Sequence, residues 1–539
     1  MLKIAILEDV KKVVEELGFF TDGIVLSISK NPAFGDYSTN LALQLAKLRQ
    51  GSNKQSAPEI AREIVSKINS LESSKKCLEK VEVAGSGFIN FFVKPESLAK
   101  DIKEILESGD QYGKSEINKG KKSRIEFISA NPTGPLHIGN ARSGPLGDVI
   151  GNILTSQGYD VLREFIDNDV GEQVKALGAT IRAKVQGNLA QENQYQGEYV
   201  NELASNLEGD LEDKSDEEIG RLAVEIMHEE IMADAHAMGV KFDLVVHESQ
   251  LRKEAPDVIG KLKEAGVVKE KDHALWLAPS DEFLKDRETV IQKSNGEYTY
   301  FTADIVYHKQ KFESGADPII DIFGSNHHGH VPRLQAAMKA LGFDPGKLKI
   351  VLYQYVRVKR GNEIVKMSKR AGDFITAQEV LNEVGKDAFR FYLLRFAPQT
   401  HMDFDLELLK QQSSKNPVFY VQYAYARMAN ILSKAQESRL NNQAVDYIQL
   451  KHPDEINLIK QLLIFPDLLA ELALNLQVHQ LTEYAINLAD HFHKFYENCQ
   501  VLQAENEQLK GARIALVQAA KITLSNTLTL LGVSAPDRM

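Results

Sequence analysis

Two cysteines in 539 residues, Cys77 and Cys499, exclude a disulfide scaffold and leave no cysteine spacing suited to a metal. They fit a reducing compartment, where buried free thiols are the ordinary state. Long hydrophobic runs are missing too. The best, Leu462 to Leu474, is broken by Pro466, Asp467 and Glu471, so no membrane span is expected. Acidic Glu8 and Asp9 come too early for a signal or transit peptide, and a cytoplasmic chain is expected. Excess positive charge is absent: 64 Lys and Arg against 75 Asp and Glu leave a net charge of −11. That excludes a surface coating nucleic acid non-specifically, while a local basic face for one folded RNA remains open.

What is present divides into three parts. The length demands two to four domains. Residues 1–110 read as a small α/β domain. It has helical periodicity from Ile6 to Leu17, a strand at Ile24–Ile28, a helix at Leu41–Leu48 and a strand pair across Val81–Phe92. Gly85-Ser86-Gly87 does not complete a dinucleotide fingerprint and reads as the turn of that pair. A Gly/Lys/Ser-rich linker, Gly113 to Ser123, leads into a block extending to about 400. That block begins as a strand at 124–130, a helix to Gln157 stopped by Gly158, and a strand at Val161–Ile166. This spacing implies a parallel sheet with right-handed crossovers. Further strands are expected at Thr289–Lys293, Pro318–Phe323 and Lys349–Tyr353. The polar, acidic stretch at about 195–270 reads as a helical insertion, with Ser215 and Glu218 as a capping box. From 401 to 539 strand signals vanish and helical periodicity predicts an all-α bundle. The expected fold class is therefore α/β: a Rossmann-like parallel-sheet domain with a helical insertion, between an N-terminal α/β domain and a C-terminal helical bundle.

The chemistry concentrates in Ile125-Glu-Phe-Ile-Ser-Ala-Asn-Pro-Thr-Gly-Pro-Leu-His-Ile-Gly-Asn140. An apolar strand breaks at a Pro/Gly turn and re-enters as a helix. The helix start offers unpaired N–H groups and a positive dipole end, which suits a nucleotide phosphate. The Gly and Lys pattern of a Walker loop is lacking. An imidazole, His137, and a side-chain-free Gly139 stand there instead. More than two hundred residues later comes Lys366-Met-Ser-Lys369-Arg370, whose two lysines, three apart in a loop, can close over the β- and γ-phosphates of ATP. Together the two segments resemble the paired signatures of class I aminoacyl-tRNA synthetases. Either alone is weak, since a lone helix-start histidine usually caps and loop lysines are usually solvated.

The amino acid to be activated is read from the residues around that strand. Tyr300 and Asp304, four apart, share one helix face. With Glu126 they offer two carboxylates and an aromatic ring, which a guanidinium needs for in-plane hydrogen bonds and stacking.

With these residues, and with Gly35-Asp36-Tyr37-Ser-Thr-Asn40, Gly85-Ser-Gly-Phe-Ile-Asn90 and the terminal Leu530-Leu-Gly-Val-Ser-Ala-Pro536, the chain resembles the arginyl-tRNA synthetases over nearly its whole length. The resemblance implies ATP with Mg2+, L-arginine and tRNA(Arg) as partners, and a monomer. Arginine would be held at Glu126, Ser129, Asn131, Tyr300, Asp304 and His327. ATP would lie against Pro132, Gly134, His137, Gly139, Asn140, His330, Lys366, Met367, Ser368 and Lys369, with His137, Asn140, Lys366 and Lys369 catalytic. The N-terminal domain would meet the tRNA elbow through Asp36, Tyr37 and Asn40. The C-terminal bundle would present Tyr420, Tyr423 and Arg427 to anticodon bases, since aromatic and guanidinium planes stack on splayed bases. Asp387-Ala-Phe-Arg390 resembles part of that bundle too. The family's activation step also waits for bound tRNA. Two positions depart from its pattern: Asn140 stands where histidine is usual, and Arg370 where serine is. Asparagine can donate a hydrogen bond to phosphate but carries no charge.

Other readings explain less. Adjacent His327, His328 and His330 seldom converge on one ion without further ligands, so no zinc is expected. His491, His493 and Cys499 lie in an aromatic-rich helical context and read as packing. A nucleotidylyltransferase would need neither flanking domain, and a synthetase for another amino acid would not need the guanidinium set. An inactive RNA-binding relative would be expected to have lost His137, Lys366 or Lys369. Lys369→Ala is expected to keep arginine binding but slow adenylate formation by roughly 10²–10³. Arginine-dependent ATP–pyrophosphate exchange with tRNA present checks this; near-normal turnover contradicts it.

Overall fold

The computed structural model describes residues 2–19, 24–28, 34–48, 55–187, 195–207, 209, 211, 213–278, 288–361, 363–365, 375–437 and 445–539. Five parallel strands carry the middle of the chain: β1 (Lys122–Glu126), β2 (Asp160–Asp167), β3 (Leu244–His247), β4 (Ile319–Gly324) and β5 (Leu348–Tyr353). They lie in the order β5-β4-β1-β2-β3, every pairing parallel. Such strands are covered on both faces, hence the buried Ile125, Phe165, Ile320 and Ile322. The chain leaves β1 for β2 on one side and later returns to β4 on the other. That reversal opens a crevice beyond the carboxyl ends of β1 and β4.

Several sequence expectations are corrected here. β1 stops at Glu126 instead of running to 130, because Ile128 (φ 66°) and Ser129 (φ 40°) are left-handed, which no strand tolerates. Two hydroxyls fix this kink: Ser143 Oγ accepts from the Ile128 N–H at 3.2 Å, and Ser129 Oγ from the Ile166 N–H at 3.2 Å. β3 falls inside the 195–270 stretch expected to be helical; four residues among helical segments left no alternation to read. The α-helices there are Glu198–Leu207, Asp216–Ala237, Glu248–Leu251 and Ala255–Glu264, the second started by the expected Ser215/Glu218 capping box, and Glu172–Val185 packs beside them. Thr289–Gln292 forms an antiparallel sheet with Ala274–Leu277 and Val268–Lys271, away from the central sheet. A short strand, Met402–Asp405, persists beyond 400 and pairs with Val356–Arg360.

The N-terminal part is a four-stranded antiparallel sheet (Ser27–Ile28, Tyr37–Thr39, Phe88–Val93, Leu78–Ala84) backed by helices. Its first strand covers only the last two residues of the expected Ile24–Ile28. The C-terminal part packs Pro417–Glu437, Pro453–Leu463, Phe465–Asn475, His479–Asn498 and Glu507–Leu531. By length and composition Glu507–Leu531 could cross a membrane, which the sequence reading did not single out. It serves as a core helix here, with Leu516, Leu524 and Leu528 fully buried.

Two buried arginines fasten these parts. Arg142, just after the first signature, donates to the carbonyls of Gln354 (2.8 Å), Ala397 (3.0 Å) and Thr400 (3.0 Å). Arg390 pairs with Asp148 and donates to Met238 O (2.9 Å) and Leu531 O (3.0 Å). The helix Ser143–Ser156 approaches the strand end so closely that a Cβ on Gly147 would lie 2.2 Å from the Phe127 ring. Gly147→Ala is therefore expected to destabilise the chain by about 1–3 kcal/mol. Thermal denaturation measures this, and an unchanged melting temperature would contradict the close packing.

Candidate active site

At the crevice lies a cavity of about 810 Å³. His137 is the N-cap of the short helix Ile138–Ala141, and its Nδ1 accepts the Asn140 N–H at 3.1 Å. With Nδ1 accepting, the neutral ring carries its proton on Nε2, a tautomer assigned from that bond, and Nε2–H is a donor. Gly139 lets the ring lie across the helix start: a Cβ there would sit 3.0 Å from Nδ1. Asn140 and Gly134 also line the cavity, whereas Pro132 and Gly139 are buried beneath it. Gly134 faces the insertion, where Tyr199 donates to Thr133 O at 3.1 Å.

Lys366, Met367, Ser368, Lys369 and Arg370 lie outside the described residues. Their flank does not. Ile138 N–H donates to Ile375 O (3.2 Å), Ala377 N–H donates to Leu136 O (2.7 Å), and His137 bridges Thr376. The chain therefore returns to His137 within six residues of Arg370.

The other half of the cavity is acidic. Glu126 ends β1, 4% exposed, with Oε2 2.6 Å from Lys311 Nζ. Lys311, fully buried, also donates to Asp321 Oδ1 at 2.7 Å and lies 4.1 Å from the Tyr307 ring. Asp321 Oδ2 is 2.7 Å from His308 Nε2. Glu126, His308 and Asp321 are by type a metal trio, but Lys311 already bonds both carboxylates, so the cation there is the chain's own. Burial pushes the Glu126 carboxyl above its usual range despite Lys311. Burial would raise Asp321 as well, but Lys311 and His308 outweigh it and hold it well below. For Lys311 the two carboxylates outweigh burial and keep it charged.

Tyr300 opens the helix Tyr300–Glu313 and lines the cavity; though 42% exposed as a residue, its hydroxyl faces inward, and removal from water, then the charge of Asp304, Glu126 and Glu248, hold its proton on. Asp304 shares that helix face but lies one layer back, 5% exposed. His330, expected beside the nucleotide, is absent from the cavity wall and instead places Nε2 2.9 Å from Asp304 Oδ2. His327 lines the cavity, stacked on Phe323, and burial lowers its basicity. Ser129 and Asn131 line it too. Asn131 donates to Gln173 (2.8 Å) and accepts from Asn168 (2.7 Å), while Ser129 Oγ accepts from backbone. Sequence reasoning missed Lys311, His308, Asp321 and Glu248. The helical spacing of Asp304, His308 and Lys311, which puts them on one face, was the available signal.

The RNA-facing expectations divide. Tyr37 is 4% exposed, and Asp36 holds Lys460 Nζ at 2.5 Å, tying the N-terminal part to the bundle, so neither is free to face RNA. Asn40 is exposed. Tyr423 is 39% exposed and stacks parallel to Phe419. Arg427 lies 4.7 Å over both Tyr423 and Tyr496, and Tyr420 donates to Asp490 at 2.5 Å beside them.

Comparison with known proteins gives a consistent picture. Three family models match: an arginyl tRNA synthetase N terminal domain over residues 2–93, a class I (R) tRNA synthetase catalytic domain over 101–393, and a DALR anticodon binding domain over 421–539. The chain is 40% identical to an arginine–tRNA ligase of Moorella thermoacetica, over 96% of this chain and 94% of that protein. It is 37% identical to the Bacillus subtilis arginine–tRNA ligase, over 100% and 99%. In fold it is similar to the Thermus thermophilus arginyl-tRNA synthetase, with a TM-score of 0.79, 24% identity and full coverage of both chains.

Removing the buried ammonium would leave Glu126 and Asp321 facing each other unneutralised. Lys311→Met is expected to cost about 3–5 kcal/mol of stability. Urea denaturation measures this, and a change below about 1 kcal/mol would contradict the role given to Lys311.

Proposed function

As the chain belongs to the arginyl-tRNA synthetase family and is an arginine–tRNA ligase, we propose that its cavity works as two subsites sharing the end of β1. The observation that carries this reading is the juxtaposition of Glu126 and Tyr300 with His137 and Asn140 around one cavity. Glu126, Asp304 and Tyr300 receive the guanidinium, with Ser129, Asn131 and His327 placing the rest of the amino acid. His137 Nε2–H and the Asn140 amide donate to ATP phosphates, with Gly134, Gly139 and Pro132 shaping the approach. Lys366 and Lys369 join them, with Met367 and Ser368 between. Mg2+ enters as the counter-ion of ATP.

The arginine carboxylate attacks the α-phosphate, and the bond to pyrophosphate breaks. Donors fixed before the reaction stabilise the charge that grows on the leaving phosphates. A ribose hydroxyl at the tRNA 3′ end then takes the acyl group and AMP leaves. No covalent enzyme intermediate is needed; the work is positioning and electrostatics. The division of labour follows the chain: 1–110 for the tRNA elbow through Asn40, 111–400 for chemistry, and 401–539 for anticodon bases through Tyr420, Tyr423 and Arg427. A cytoplasmic monomer belongs to the same reading.

Charging assays with labelled arginine, lysine and the remaining amino acids test this. Arginine alone should be esterified to tRNA(Arg), since a site built for a planar fork leaves its acceptors unpaired around lysine. Asp304→Ala should raise the KM for arginine by one to two orders of magnitude, roughly what an unpaired buried charge costs. An unchanged KM would remove Asp304 from the pocket.

A further inference from the structure

Asp304 poses a problem for its own role. It is nearly buried, and Oδ2 has no donor aligned in hydrogen-bond geometry among the described residues. His330 Nε2 lies 2.9 Å from it, close but outside hydrogen-bond alignment, and the Tyr300 hydroxyl also faces this carboxylate. A buried carboxylate oxygen without an aligned donor is costly and marks a place where a donor is expected. The His330 ring is held edge-on to Phe301 (5.2 Å between centroids) and Phe323 (6.3 Å), contacts that guide the ring without locking it by hydrogen bonds. It is also a neighbour of Tyr300, which lines the cavity, with ring centroids 6.2 Å apart.

We propose that His330 is a displaceable internal cation: in the empty pocket its imidazolium stands on Asp304 in place of the substrate guanidinium, and arginine binds by driving it off. This rests on the reading of Asp304 as part of the arginine site. The exchange balances in charge: one cation leaves the carboxylate and another takes it, and the proton that His330 then holds less tightly passes to solvent. The groups facing His330 are Asp304 and Tyr300 on the substrate helix, Asp321 on β4, His327 on the preceding turn and Arg333 on its own helix. Burial and Arg333 oppose its charge; Asp304, helped by Asp321, outweighs them and raises its basicity above the ordinary value.

The sign follows. The free pocket holds the His330 proton more tightly than the arginine complex does, so binding releases a proton. Arginine affinity rises with pH between the lower value of the complex and the higher value of the free pocket. The slope there is at most about tenfold per pH unit, and affinity is level outside that window.

The test is calorimetric binding of arginine to the full chain from about pH 5.5 to 8, in two buffers of different ionisation heat. The wild type should show the rise and release up to one proton. His330→Gln and His330→Asn should flatten the profile and bind arginine more tightly than wild type at the acid end. Weaker binding at every pH in both variants, or no proton release by the wild type, overturns the proposal, since His330 would then be orienting Asp304. Asp304→Asn is the separate control. If it keeps wild-type affinity, the assignment of Asp304 to the arginine site fails, whatever the histidine variants do.

Discussion

Lys311 is the cation on which the pocket depends. Its ammonium bonds Glu126 at the end of β1 and Asp321 on β4, the two strands that flank the crevice. Taking three ionised groups out of water is unfavourable unless each is matched, and one lysine cannot neutralise two carboxylates. The mismatch is partly met by His308, which hydrogen-bonds Asp321 from the same helix as Lys311. A neighbouring pair, Arg124 with Glu164, repeats the arrangement between β1 and β2, with the Tyr307 hydroxyl closing on Glu164 at 2.9 Å. The acidic end of the cavity is thus a lattice of ionic bonds joining β1, β2, β4 and one helix, fixed before any substrate arrives. A ligand cation meets carboxylates that cannot turn away, which is what selective recognition of a guanidinium requires.

The His137 end of the cavity is built differently, from backbone. The left-handed turn at Ile128 and Ser129 throws the chain out of the sheet, and the Pro/Gly segment brings it back as a helix start capped by His137. Arg142 then anchors that helix start to carbonyls at 354, 397 and 400, at the approach to the C-terminal bundle. Arg390 ties Asp148, in the helix after the signature, to the end of the last helix of the bundle. The helix start at His137 therefore shares rigid contacts with the C-terminal bundle.

Much of this was legible in the residues. The three-part division, the parallel sheet and the helix start at His137 follow from local patterns: apolar runs, turn residues and helix-start chemistry. Less visible was whatever depends on several segments meeting. β3 is four residues long amid helices, and pairing with β2 alone makes it a strand. Asp36 and Tyr37 stand in a motif suited to RNA, but Asp36 is held by Lys460 of the bundle and Tyr37 is buried. His330 carries no mark in sequence that would send it to Asp304 and away from the nucleotide. Lys311 would pass for a surface lysine, because its two partners lie 185 and 10 residues away.

The central claim is that fixed buried carboxylates select the guanidinium by its charge as well as its shape. Citrulline is nearly isosteric with arginine and uncharged, so its equilibrium binding against that of arginine, with tRNA present, separates the two. The account predicts that citrulline binds at least roughly a hundredfold more weakly, in keeping with the loss of one partner from a buried charge pair. Comparable affinities for the two would contradict it.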